Sequence, residues 1–113
     1  MHFIGLLAFA VLGISTIHYQ FELPKDARQK LIADAQALQV GESIHVVKAR
    51  LGAPQVDRHL VKKKRQVIAR ELRYYLRRVD PNLANLKDEY VSFLFDADNK
   101  LYEKKFHAIE RPK

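Results

Sequence analysis

The stretch from Leu38 to Pro54 constrains the fold more than any other. Gly41 and Gly52 punctuate it, Ser43 stands between them and Pro54 closes it. It reads as a helix end, a glycine stop, a fresh helix and a second stop. Ser43 has the chemistry of an N-cap, since its hydroxyl can accept from an amide two or three residues on. Ile44, Val47 and Leu51 then recur at spacings of three and four, which is one helical side. Gly52 ends that helix and Pro54 prevents its resumption. Gly41 is expected as the left-handed residue that terminates the helix before it.

The preceding helix starts near Pro24, with Asp26 in its first turn complementing the helix dipole. Ala27, Leu31, Ala35 and Leu38 form its apolar face, while Lys25, Arg28, Gln29, Asp34 and Gln36 take the others. Two short amphipathic helices joined so closely need a shared apolar surface, and the only remaining supplier is a sheet.

The rest of the chain reads as strands. Residues 56–61 form a short candidate. Lys62, Lys63, Lys64, Arg65 and Gln66 make an exposed turn, and residues 67–79 form a long strand. There Leu72, Tyr74 and Leu76 alternate with Arg73, Tyr75 and Arg77, a period of two with one apolar and one basic-aromatic face. Asp80, Pro81 and Asn82 are turn residues, and a polar loop runs to Asp88. Residues 89–96 form the strongest strand, with Val91, Phe93 and Phe95 on one face and Tyr90, Ser92 and Leu94 on the other. Ala97, Asp98, Asn99 and Lys100 make a tight hairpin loop. The chain returns over residues 101–109, and residues 110–113 are expected to fray. The expected fold class is α+β: two helices packed on a three-stranded antiparallel meander, with residues 56–61 as an optional extra strand.

Residues 3–17 carry no charge. The run is at the upper limit for a signal-peptide core and a little short for a spanning helix, unless His18, Tyr19 and Phe21 extend it. The expected organisation is a hydrophobic signal-anchor or signal peptide over residues 1–21, then one α+β domain over residues 24–110. Lys25, Arg28 and Lys30 follow the run and bias the domain towards the cytoplasm by the positive-inside rule, although a domain can translocate regardless.

The 113 residues have a formal charge of +7, from 20 Lys and Arg against 13 Asp and Glu. Every one of these charges lies from Glu22 onward, so the domain itself is basic. That favours an anionic partner: nucleic acid, an acidic protein or a lipid headgroup. The chain has no cysteine, which excludes disulfides, thiolate chemistry, cysteine-ligated zinc and thiol lipidation.

The order of helix, Gly41 and Ser43, second helix and Val47, Leu51, Gly52 and Pro54, followed by a meander, resembles the SmpA/OmlA (BamE-like) family. The tyrosine-rich strand at Leu72 to Leu76 and the closing hairpin from Phe93 to Leu101, with Asn99 where the family has glycine, extend the resemblance over about residues 35–106. It implies two helices on a three-stranded antiparallel sheet, shared with beta-lactamase-inhibitor-like domains. It also implies a small envelope protein of Gram-negative bacteria, akin to the outer-membrane lipoprotein accessory of barrel assembly, which contacts protein partners and anionic phospholipid. The chain departs from the family in lacking a lipobox cysteine. The apolar run must then serve as anchor or export signal, and residence is expected at the inner membrane or in the periplasm, without lipidation.

No catalytic constellation is expected. Ser15 lies in the apolar run and Ser92 inside a strand, leaving no serine nucleophile beside a histidine base. His45, His59 and His107 are isolated, so neither a metal site nor a cofactor is expected. Two surfaces are the candidates for function. Arg73, an exposed Tyr75 and Arg77, on one sheet face, form the expected partner-binding surface. Lys62, Lys63, Lys64 and Arg65 form the expected anionic-lipid patch, with basic residues contributing ~1 kcal/mol each near such a surface. Arg70 and Arg78 extend the basic strip. The alternative function is a basic nucleic-acid-binding module in which Tyr74 or Tyr75 stacks on bases.

Overall fold

The computed structural model describes residues 18–61 and 65–109. Two helices and a five-stranded antiparallel sheet make up the α+β fold. In chain order these are β1 (Phe21–Glu22), α1 (Lys25–Ala37), α2 (Ile44–Leu51), β2 (Val56–His59), β3 (Ile68–Arg78), β4 (Glu89–Asp96) and β5 (Leu101–His107). Among the described residues no helix is long and apolar enough to cross a membrane. The apolar run of residues 3–17 and the carboxyl-terminal residues 110–113 lie outside the described residues.

The three long strands, β3, β4 and β5, form the expected meander. Two short strands enlarge it: β1 and β2 both pair antiparallel with the same edge of β3, β1 at its end and β2 near its start. Gln55 fills the space between them. Its amide donates to the Arg73 carbonyl, and its side-chain oxygen accepts from the Tyr75 amide. Leu23 donates to Leu76 and closes the same edge. The sheet thus takes in Phe21, which the sequence placed at the tail of the apolar segment.

The core lies between the helices and one face of the sheet. Leu72, Tyr74 and Leu76 of β3, Val91, Phe93 and Phe95 of β4, and Leu101 of β5 meet Ala35, Leu38, Ile44 and Val47. Tyr74 packs edge-on against Phe93 and donates its hydroxyl to the Gly52 carbonyl at 2.8 Å. The alternation in β4 follows the expected faces throughout.

The corner between the helices is built differently from its expected form. Ser43 caps α2 as anticipated, its hydroxyl accepting from the His45 amide at 3.0 Å. Gly41 does not terminate α1. That helix ends at Ala37, and its cap residue Leu38 is extended. Gly41, at φ +97, is instead the third residue of the turn from Gln39 to Glu42, where a positive φ is required. This turn is zipped to the start of β5: Gly41 donates to the Leu101 carbonyl at 2.7 Å and Leu101 to the Glu42 carbonyl at 2.8 Å. The open carbonyls at the end of α1 are met from the sheet. Lys104 Nζ donates to the carbonyls of Ala35, Gln36 and Leu38 at 3.0, 3.2 and 2.7 Å. Since α1 has no basic residue in its last turn, Lys104 supplies the cation that a helix C-terminus favours.

Candidate functional site

The helices cover one face of the sheet. The other is a trough of about 1080 Å³ bordered by Arg58, Ile68, Glu71, Ser92, Leu94 and His107. Strand pairing sets its floor in rows across the sheet. Arg58, Glu71, Leu94 and Glu103 align in one row; Arg73, Ser92 and Lys105 in the next; Tyr75, Tyr90 and His107 in the third.

Glu71 is the hub. It is 3% exposed, yet three donors converge on its carboxylate. Arg58 Nε reaches one oxygen at 2.7 Å. Arg73 approaches the other through Nε and Nη2 at 3.0 and 2.9 Å, and the Ser92 hydroxyl donates to that same oxygen. Burial by itself pushes this carboxyl up, but the Ser92, Arg73 and Arg58 hydrogen bonds outweigh it and hold the group below the usual carboxylate range. Arg73 is thereby fixed in place. Its Nη1 donates to the Tyr75 hydroxyl at 3.1 Å, and its guanidinium lies 4.2 Å from the Tyr90 ring centroid. Tyr90 stacks on His107 at 4.5 Å, and His107 Nδ1 lies 2.8 Å from the Asp88 carbonyl. The result is a rigid aromatic rail beside an ion-paired floor. Lys105 stands exposed at the rim.

The expected trio of Arg73, Tyr75 and Arg77 does not share this face. A bulge between Tyr75 and Arg77 inserts one extra residue in β3, and one residue reverses a period of two. Arg77 therefore turns to the helix side. There its Nε lies 3.2 Å from Glu22 and 3.6 Å from Glu89, which also takes Arg28 of α1 at 2.9 Å. Arg78 replaces it on the open face, 4.1 Å from the Tyr75 ring centroid. Tyr75 is not an exposed anchor either. It is 3% exposed, enclosed by Arg78, Arg73 and Tyr90. Tyr74 is equally buried in the core, so neither tyrosine is presented for base stacking.

The basic strip is likewise divided and paired. Arg70 faces the helices and holds Asp57 through two hydrogen bonds of 2.9 Å, with Lys48 of α2 adding a third at 3.2 Å. The Arg70 hydrogen bonds, with help from Lys48, hold the Asp57 carboxyl at about 2 against the opposing effect of burial. Of the lipid patch, Lys62, Lys63 and Lys64 lie outside the described residues; Arg65 is an exposed turn residue at φ +66.

Arg58, Glu71, Ser92, Tyr90 and His107 are the functional candidates that sequence reasoning passed over. The alternation that singled out Arg73 and Tyr75 also places Glu71 on their face, so that signal was available. The partners from β2, β4 and β5 come only with the register. Among the described residues no cluster of His, Asp and Glu could hold a metal ion. No family model, curated protein or solved structure matches the chain.

Proposed function

We propose that this chain is a non-enzymatic domain of the bacterial cell envelope, held at the membrane by its apolar amino-terminal segment, that binds a protein partner on its open sheet face. One observation carries the reading: the helices cover a single face of the sheet, and the uncovered face is a preorganised trough. Its arginines are already oriented by Glu71, so little side-chain freedom remains to be lost on binding. Arginine and tyrosine, which build its floor and rail, are the residue types enriched at interface cores. The SmpA/OmlA resemblance supports the same reading, as does the uncharged run of residues 3–17.

Arg73 keeps its place in the proposed surface, joined by Arg58, Tyr90, His107 and the rim residue Lys105. Arg77 serves instead to tie β1, β3 and α1 together. The lipid role of Lys62, Lys63, Lys64 and Arg65 has less support from geometry. Leu60, just before them in the chain, pairs with Ala69 at the start of β3, whereas the chain coming from the apolar segment joins its far end. This strand is 11 residues long, so its ends lie roughly 30 Å apart at about 3.3 Å per residue.

The test has two arms. A carboxyl-terminal alkaline phosphatase fusion is expected to be active, placing the domain outside the cytoplasm; an inactive fusion with an active cytoplasmic reporter removes the envelope reading. In cells, a photoreactive amino acid at Lys105 is expected to capture one discrete protein, while the same group at Ala49, exposed on α2, does not. Equal capture from both positions, or from neither, removes the open face as the binding surface.

A further inference from the structure

Two leucines stand out from the loop between β3 and β4. Leu83 is 65% and Leu86 is 86% exposed. Residues 81–86 carry no charge, and all are exposed. The loop is not slack. Asp80 begins one turn, its side chain accepting from the Asn82 amide at 2.9 Å and its carbonyl from Leu83 at 3.1 Å. Asn85 begins a second, its side chain accepting from the Lys87 amide at 2.8 Å and its carbonyl from Asp88 at 3.0 Å. Asp88 is 1% exposed and anchors the whole, accepting from the Val79 amide at 2.9 Å and the Asn85 amide at 3.3 Å. A loop this well tied spends none of its leucine side chains on its own stability.

The loop also has a defined neighbour. Tyr19 Oη donates to the Lys87 carbonyl at 3.3 Å, and the Arg77 guanidinium lies 5.1 Å from the Tyr19 ring centroid. The Gln20 amide donates to the Arg78 carbonyl at 2.9 Å. The uncharged run of residues 3–17 therefore ends within two residues of a direct contact with this loop. A run that enters a bilayer at its end next to Tyr19 brings the loop from Asp80 to Asp88 to the same surface.

We infer that this loop is the membrane-facing tip of the domain, with Leu83 and Leu86 entering the boundary between headgroups and acyl chains beside the anchor. The inference rests on the anchor reading of residues 1–21. Its physical basis is that apolar side chains gain by leaving water at the interface, while exposed Lys87 can meet lipid phosphate. It orients the molecule: the β3–β4 loop lies against the lipid, and the opposite end of β3, where Leu60 pairs with Ala69, points away.

The absence of cysteine allows single labels to be placed cleanly. Leu83→Cys, Leu86→Cys and, at the distal hairpin, Val61→Cys (82% exposed) are made in the full chain. Each is labelled with an environment-sensitive fluorophore and reconstituted into vesicles of phosphatidylethanolamine and phosphatidylglycerol. Nitroxide-bearing lipid is expected to quench the labels at positions 83 and 86 several-fold more than the label at 61, and aqueous iodide to do the reverse. If the chain floats with the vesicles but the loop labels respond to iodide as position 61 does, the loop stays in water; the proposal falls and the anchor stands. Shielding from both quenchers identifies a protein occupant, a second copy or the chain's own apolar segment, and overturns the lipid assignment. A chain that does not float with vesicles removes the anchor reading and this inference with it.

Discussion

Glu71 shows how one side chain can organise a face. It is buried on a strand rich in arginine, and its charge is compensated by two guanidinia and a hydroxyl. Glu71→Gln leaves Arg73, 20% exposed, without its ionic partner, while Arg58, 57% exposed, can turn to water. Losing one partner of a fully buried pair costs about 3–5 kcal/mol; solvent access at Arg58 reduces the expected loss to about 2 kcal/mol. Urea denaturation measures it, and an unchanged midpoint would show that the hub is not structural.

Asp57 and Tyr74 contribute at opposite ends of the pH profile. Asp57 is depressed from 3.8 to about 2 in the fold. Its contribution is therefore fully present above pH 3.8 and is lost as the pH falls through 2. The thermal midpoint is expected to drop across that window, less steeply in Asp57→Asn. Tyr74 is the opposite case. Burial, and secondarily the charge of Asp57, pushes its hydroxyl from 10.0 up to about 12. The fold then holds the proton more tightly than the unfolded chain, so stability is intact below pH 10 and is lost as the pH rises through 12. Tyr74→Phe is expected to flatten that alkaline decline in the melting temperature.

At the scale of elements, the two glycines of the helix corner differ in kind. A Cβ on either would meet nothing within 4 Å, so only backbone conformation matters. Gly41 occupies a turn position with φ +97. Gly52 has φ +85 and ψ −160, a region that is essentially open to glycine alone and costs other residues about 1–3 kcal/mol. Gly52 also presents its carbonyl to the Tyr74 hydroxyl, so a shift there reaches the core. Gly52→Ala is expected to destabilise by an amount in that range and by more than Gly41→Ala, as read from matched chemical denaturation curves. Equal costs would mean that the second corner relaxes freely. The elements also depend on one another: α1 ends on Lys104 of β5 and the Gly41 turn zips to Leu101, so the corner cannot form fully before the last strand arrives.

Over the whole molecule, the sheet separates two jobs. The helix side holds the core and the ion pairs of Arg70 and Arg77. The open side holds the trough. The long edge of β3 is sealed by β1, Gln55 and β2, which removes one route to edge pairing. In the proposed function, Lys105 at the rim steers an oppositely charged partner and contributes little to stability. Lys105→Glu is therefore expected to lower the association rate several-fold at low salt, with the melting temperature nearly unchanged. Stopped-flow mixing with the captured partner at two salt concentrations checks this; a rate insensitive to both charge and salt would separate the rim from recognition.

The local code in the chain determined which elements form. The period of two over residues 72–75 and 90–95 and the spacings of three and four at Ile44, Val47 and Leu51 depend only on near neighbours, as does the capping chemistry of Ser43. Asn99, at φ +59, turns the last hairpin as its residue type suggests. What pairing and packing decided was of another order. A single extra residue after Tyr75 moved Arg77 to the helix side and brought Arg78 to the open face, and periodicity within one strand cannot register an insertion relative to its partner. Tyr75 is buried because Tyr90, Arg73 and Arg78 arrive from positions set by the fold. Glu71 is tolerable in the interior only because β2 and β4 bring Arg58 and Ser92 across from sequence positions 13 and 21 residues away. A lone strand shows which residues alternate; the register of its neighbours determines which side chains meet, and so where the binding surface lies.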